Sequence, residues 1–171
     1  ALGLSVGFKA NVWNIGAEGQ YIMGAIFGAS FALSLYPLES IVIFPAMILI
    51  GIIGGCLWSM IPAFLKVKFQ VNEILVSLML VYVAEQILAL ASLGFLRNPD
   101  GAGFPGSRNL SQYSSASNVE LITGTGIHLG VLLSLLMVVF FYVLLFQHSL
   151  GFKIKLLGNS PKASGFSGDN P

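Results

Sequence analysis

Residues 11–20 read NVWNIGAEGQ and run without a break into the apolar segment 21–35. Two asparagines, a glutamate, a glutamine and two glycines thus lead straight into a hydrophobic helix, which puts polar side chains and loose backbone at or near membrane depth. Lipid solvates neither Glu18 nor the free backbone groups beside Gly16 and Gly19, so this stretch is a candidate functional site. The same residues also read as a plain helix start, with Asn14 as N-cap and Glu18 near the first turn.

The composition agrees with a membrane setting. Of the 171 residues, 56% are hydrophobic and 9% charged, with a mean hydropathy of +0.86, whereas soluble domains carry roughly 25% charged residues. The chain is therefore read as an integral membrane protein. Lys and Arg total 8 against 7 Asp and Glu, so no basic excess suggests a nucleic-acid partner. Cys56, the sole cysteine, excludes an internal disulfide and a cysteine metal cluster, and among its apolar neighbours reads as packing. Residues 1–10 lack the ordered regions of a signal peptide, and 164–171 is a polar stretch that completes no element. The sequence is accordingly expected to be an internal piece of a longer permease-like protein.

Outward from the opening stretch, the pattern predicts an all-α, polytopic transmembrane helix bundle forming a single domain over 1–171. Residues 1–12 look like the tail of a helix, too short to span. Four complete spans follow at about 17–36, 41–65, 71–93 and 128–147, each near the ~20 residues that a crossing needs. Gly24, Ala25, Gly28, Ala29 and Ser30 in the first, and Gly51, Gly54 and Gly55 in the second, form small-residue faces for close helix approach. Trp58 reads as a possible interfacial anchor, as does Tyr36 in the turn 36–40. In the third span Asn72 and Glu73 suit a cap and an acidic first turn, while Glu85 and Gln86, about 18 Å further on, lie too deep for that. The last span is a nearly uniform Leu, Val and Phe run expected to face lipid. Lys66 and Lys68, and then Lys153, Lys155 and Lys162, place their segments in the cytoplasm. The long polar loop 94–127 and the turn 36–40 then face outside, and the opening stretch opens toward the cytoplasm.

No catalytic centre is legible. The two histidines lie at opposite ends of one span, roughly 30 Å apart, and cannot share a metal. HExxH, GxSxG and Walker-type signatures are absent, so the chain is not expected to be an enzyme, to hold a metal or to bind a cofactor. After the last span, 151–171 reads as a basic cytoplasmic loop. Within it GNSPKA (158–163) gives a Gly break, an Asn or Ser cap and a first-turn Pro. A short helix starting there suits docking into a soluble partner with Lys162 at the contact, although an ordinary solvated loop fits equally well.

NIGAEGQ, a Gly-rich span, VNEILVSLMLVYVA, RNPDGAGFPGS and GNSPKASGFSG, in that order, resemble the permease subunits of bacterial ATP-binding-cassette importers for simple sugars and nucleosides. These belong to the branched-chain amino acid and ribose permease superfamily, and the likeness covers nearly the whole chain. It implies a multi-pass protein of the bacterial plasma (inner) membrane with roughly 8 to 10 helices in full. The implied partners are a second permease as homo- or heterodimer, ATPase subunits that bind the ATP, and a lipoprotein-type solute-binding protein. By position, Asn14, Glu18 and Gln20, then Asn72, Glu73 and Met79, match the polar motifs near the translocation pathway. Gly158, Asn159, Pro161 and Ala163 match the loop that docks on the ATPase. Ser164, Gly165 and Asp169 depart from the usual pattern there.

The implied mechanism is alternating access, with a bundle lined by side chains such as Glu85 and Gln86 moving a small polar solute. Trp13, Tyr21 and Tyr82 could stack on a sugar or nucleobase face, or could simply pack. A self-contained secondary transporter or channel fits the same polar groups. So does a non-transporting scaffold whose helices they join.

Overall fold

The computed structural model describes residues 2–99, 101, 106–117, 120–122 and 124–159. The chain forms two compact units, Ile15–Asn118 and a second made of Ala1–Asn14 with Val119–Pro171. Among the described residues, six α-helices carry the fold: α1 Leu2–Lys9, α2 Ala17–Ser34, α3 Ile43–Phe69, α4 Glu73–Leu93, α5 Leu129–Phe146 and α6 Ser149–Asn159. Of these, α3, α4 and α5 are long and apolar enough to cross a membrane. α2 stands outside that group, because its 18 residues include Glu18 and Gln20 in the first turn.

In the first unit α2, α3 and α4 pack as a three-helix layer. The glycine faces read from the sequence are where α2 meets α3. A Cβ on Gly24 would stand 2.9 Å from the Gly51 carbonyl oxygen, and one on Gly55 would stand 3.1 Å from that of Gln20. With no side chain there, the two backbones come into direct contact. Ala25, expected on the same face, is exposed. α3 continues through Lys66 and Lys68, read beforehand as a connection, and stops only where Gln70 takes a left-handed cap at φ 54°. Pro45 lies in its first turn, where a missing N–H costs nothing.

Trp58 is a correction. It packs against Met23, Ile26 and Ala84 in the core rather than anchoring at an interface. Cys56 is corrected as well, since it is exposed and not packed.

At the far end of the layer the loop after α4 folds onto the α2–α3 turn. The Tyr113 hydroxyl donates to the Leu38 carbonyl, the Ser114 hydroxyl donates to Glu39 at 3.1 Å, and Ser40 N–H donates to Ser115 Oγ at 3.0 Å. Arg108 lies 4.4 Å from the centre of the Tyr36 ring, and that ring meets Tyr113 edge to face. A core of Ala32, Ile43, Tyr113 and Ala116 fills the space beneath.

In the second unit the loop holds a small antiparallel hairpin, β1 Glu120–Ile122 with β2 Ile127–His128. Gly124 and Gly126, at φ +83° and +68°, make its turn, a conformation that glycine adopts without strain. α5 is exposed along nearly its whole length, with only Leu145 buried. α6 was not foreseen. His148 Nδ1 accepts from Leu150 N–H at 3.1 Å and caps its start, and Gly151 lets it turn tightly over the end of α5, within 2.3 Å of the Leu144 carbonyl if a Cβ were present.

Candidate functional site

The opening polar stretch docks on α4. Ile15 N–H donates to Ser77 Oγ at 3.3 Å, and a Cβ on Gly19 would lie 3.1 Å from Val81 Cα. Both contacts share one 62-residue offset, so α2 and α4 run parallel with Ala17 level with Met79. At 1.5 Å per residue, α2 begins about 9 Å further along than α4 does. Ile15 and Gly16 are non-helical backbone at a depth where α4 is already helix. Gly16 is the N-cap, with no side-chain cap bond, which replaces Asn14 in that role. Asn14 falls in the other unit and is half-buried.

This register sorts the expected pathway residues. Glu18, Gln20, Met79, Glu85 and Gln86 fall within about 10 Å along the helix axes. Asn72 and Glu73 lie about as far again toward the start of α4, and both have local partners. Asn72 Oδ1 accepts from Ile74 N–H at 3.0 Å, and Glu73 pairs with Lys66 Nζ at 2.5 Å. The cap and first-turn reading thus accounts for this pair by itself.

The polar band lies off the packed faces. On α4 the buried residues are Ser77, Val81, Ala84 and Ala91, and Gln86 stands about 200° around the helix from Ala84. Met79, Tyr82, Glu85 and Gln86 are exposed, as are Glu18 and Tyr21 on α2, while Gln20 is half-buried. Among the described residues, this band offers amide and carboxylate groups with tyrosines and no cluster of lysine or arginine. Trp13, in the other unit, stacks on Phe8 with ring centres 5.2 Å apart.

Two features escaped sequence reasoning. Ser77 is buried to 2% exposure and also donates to the Ile74 carbonyl at 3.1 Å. A serine bonded to its own helix leaves no trace in an apolar run. The indole Nε1 of Trp58 is buried without a hydrogen-bond partner beside Gly19.

The expected ATPase-docking residues are divided. Gly158 and Asn159 close α6, so Gly158 does not break the chain ahead of a helix. A Cβ on it would come within 2.0 Å of the Lys9 carbonyl, and the glycine is explained by that close approach to the end of α1. Pro161, Lys162 and Ala163, with Ser164, Gly165 and Asp169, lie outside the described residues.

Comparison with known proteins supplies the family. Residues 1–171 match the family described as branched-chain amino acid transport system / permease component. The chain belongs to that family. Together with the three apolar helices, this membership makes it part of a multi-pass membrane protein. It is similar to the glucose ABC transporter permease protein of Haloferax volcanii, 32% identical over 91% of the chain and 43% of that relative. It is also similar to the guanosine ABC transporter permease protein of Bacillus subtilis, 26% identical over 98% of the chain and 47% of the relative. The nucleoside ABC transporter permease protein of Lactococcus lactis is 24% identical, over 98% of the chain and 48% of its own length. The chain thus spans about half the length of the curated relatives it matches. No solved structure matches it.

Proposed function

We propose that this chain is part of a permease subunit of an ATP-binding-cassette importer that moves a nucleoside or simple sugar across the bacterial inner membrane by alternating access. The observation that carries the reading is the submerged start of α2, which sets Glu18 and Gln20 at the depth of Met79, Glu85 and Gln86. Non-helical backbone and ionisable groups at membrane depth suit a solute path and are costly elsewhere. Amides and carboxylates without a cationic cluster favour a small, uncharged, hydroxyl-rich cargo. The names of the three relatives support the same class.

In this reading a second permease, ATPase subunits that bind and hydrolyse ATP, and a lipoprotein-type binding protein complete the machine. The segment around Pro161, Lys162 and Ala163 transmits the ATPase motion from the cytoplasm. The full-length permease, reconstituted with these partners in liposomes, is expected to take up labelled guanosine or glucose only with ATP. Uptake that persists without the ATPase would identify a secondary transporter or channel instead.

A further inference from the structure

We propose that Ser77 is a positioning residue that sets the depth and orientation of the α2 entry and thereby the affinity of the polar band for cargo; this rests on the permease reading. Ser77 Oγ receives a backbone N–H from the non-helical entry to α2, that of Ile15 at 3.3 Å. Its hydroxyl proton is already committed to the Ile74 carbonyl at 3.1 Å, so the oxygen faces Ile15 as a pure acceptor. Gly16, which follows, is buried and is the N-cap of α2. The Ser77 oxygen therefore fixes a non-helical amide one residue ahead of the Gly16 cap and of the turn that carries Glu18 and Gln20. Gly19 supplies the second point of contact, one turn further, against Val81. Two contacts a turn apart define both the height and the rotation of α2 on α4. Gly55 of α3 holds the Gln20 backbone, so removing the first contact loosens the entry as far as Glu18, which shifts relative to Gln86.

Ser92 provides an internal control. Its hydroxyl bonds the Ala89 carbonyl at 2.9 Å in the same helix, the pattern of Ser77 without the contact to Ile15. The test compares Ser77→Ala, Ser77→Thr and Ser92→Ala in the full-length permease assembled with its partners, using labelled guanosine and glucose as probes. Loss of one hydrogen bond predicts that Ser77→Ala raises the apparent KM for uptake by about 2- to 10-fold. Maximal rate per folded complex stays near that of the unaltered protein, Ser77→Thr restores KM, and Ser92→Ala changes nothing. In parallel, hydrogen exchange at the Ile15 amide is slow in the unaltered protein and fast in Ser77→Ala.

An unchanged KM with Ser77→Ala, or a fall in rate that only tracks the amount of folded protein, would overturn the proposal. So would fast exchange at Ile15 in the unaltered complex, a measurement that stands even if Ser77→Ala does not fold. Absence of uptake by the unaltered complex with protected Ile15 would overturn the permease reading, and with it the effect on cargo affinity, while leaving the Ser77 contact in place.

Discussion

At the residue scale, Asn72 and Ser77 do related work and differ in how visible they are in the sequence. Asn72 stands before an apolar run and caps it, as its position announces. Its replacement by Ala is expected to lower stability by about 0.5–2 kcal/mol in thermal unfolding of the purified complex. The Glu73–Lys66 pair beside it leaves Lys66 39% exposed in its side chain. Glu73→Gln should therefore cost less than about 1 kcal/mol and little uptake. A large loss of uptake at normal folded yield would instead put Glu73 on the solute path. Ser77 carried no such signal, because its only local partner is a carbonyl of its own helix and its second partner lies 62 residues away. Trp58 was legible as an aromatic at a helix position but not as core, since nothing in one sequence says which side of α3 meets Met23 and Ala84.

At the element scale, the helices were legible wherever apolar length decided them, and the glycine faces because small residues recur at helical spacing. Gly24 and Gly51 face each other across backbone alone, so Gly24→Leu must push α2 off α3. The expected cost is about 1–3 kcal/mol of overpacking, read as lower folded yield, with Gly3→Leu, where nothing lies within 4 Å, as the neutral comparison. The loop after α4 is held on the α2–α3 turn in part by the Tyr113 hydroxyl. Tyr113→Phe is predicted to raise proteolysis within 106–117 while leaving helix content unchanged, a loss of about 1 kcal/mol. α6 was missed because its lysines and glycines resemble a basic loop in composition. What makes it a helix is tertiary: Gly151 turning over the end of α5 and Gly158 meeting Lys9.

At the scale of the whole molecule, the chain spans about half the length of the curated relatives it matches, and its three membrane-length helices leave most of their surface exposed. The band from Glu18 to Gln86 lies off the contacts that join the three helices, on a layer that also exposes apolar side chains such as Leu57 and Leu90. The fold class and the polar stretch were readable from periodicity and from charge placed in an apolar context. The common level of Glu18, Gln20, Met79, Glu85 and Gln86 was not, because it depends on how α2 is registered against α4. The most direct measurement is aqueous labelling of Gln86→Cys, in a Cys56→Ala background of the full-length permease with its partners, by a membrane-impermeant thiol reagent. The account predicts labelling that ATP alters and cargo slows, with Leu135→Cys on α5 unlabelled. Gln86→Cys as inert as Leu135→Cys, with and without ATP, would contradict it.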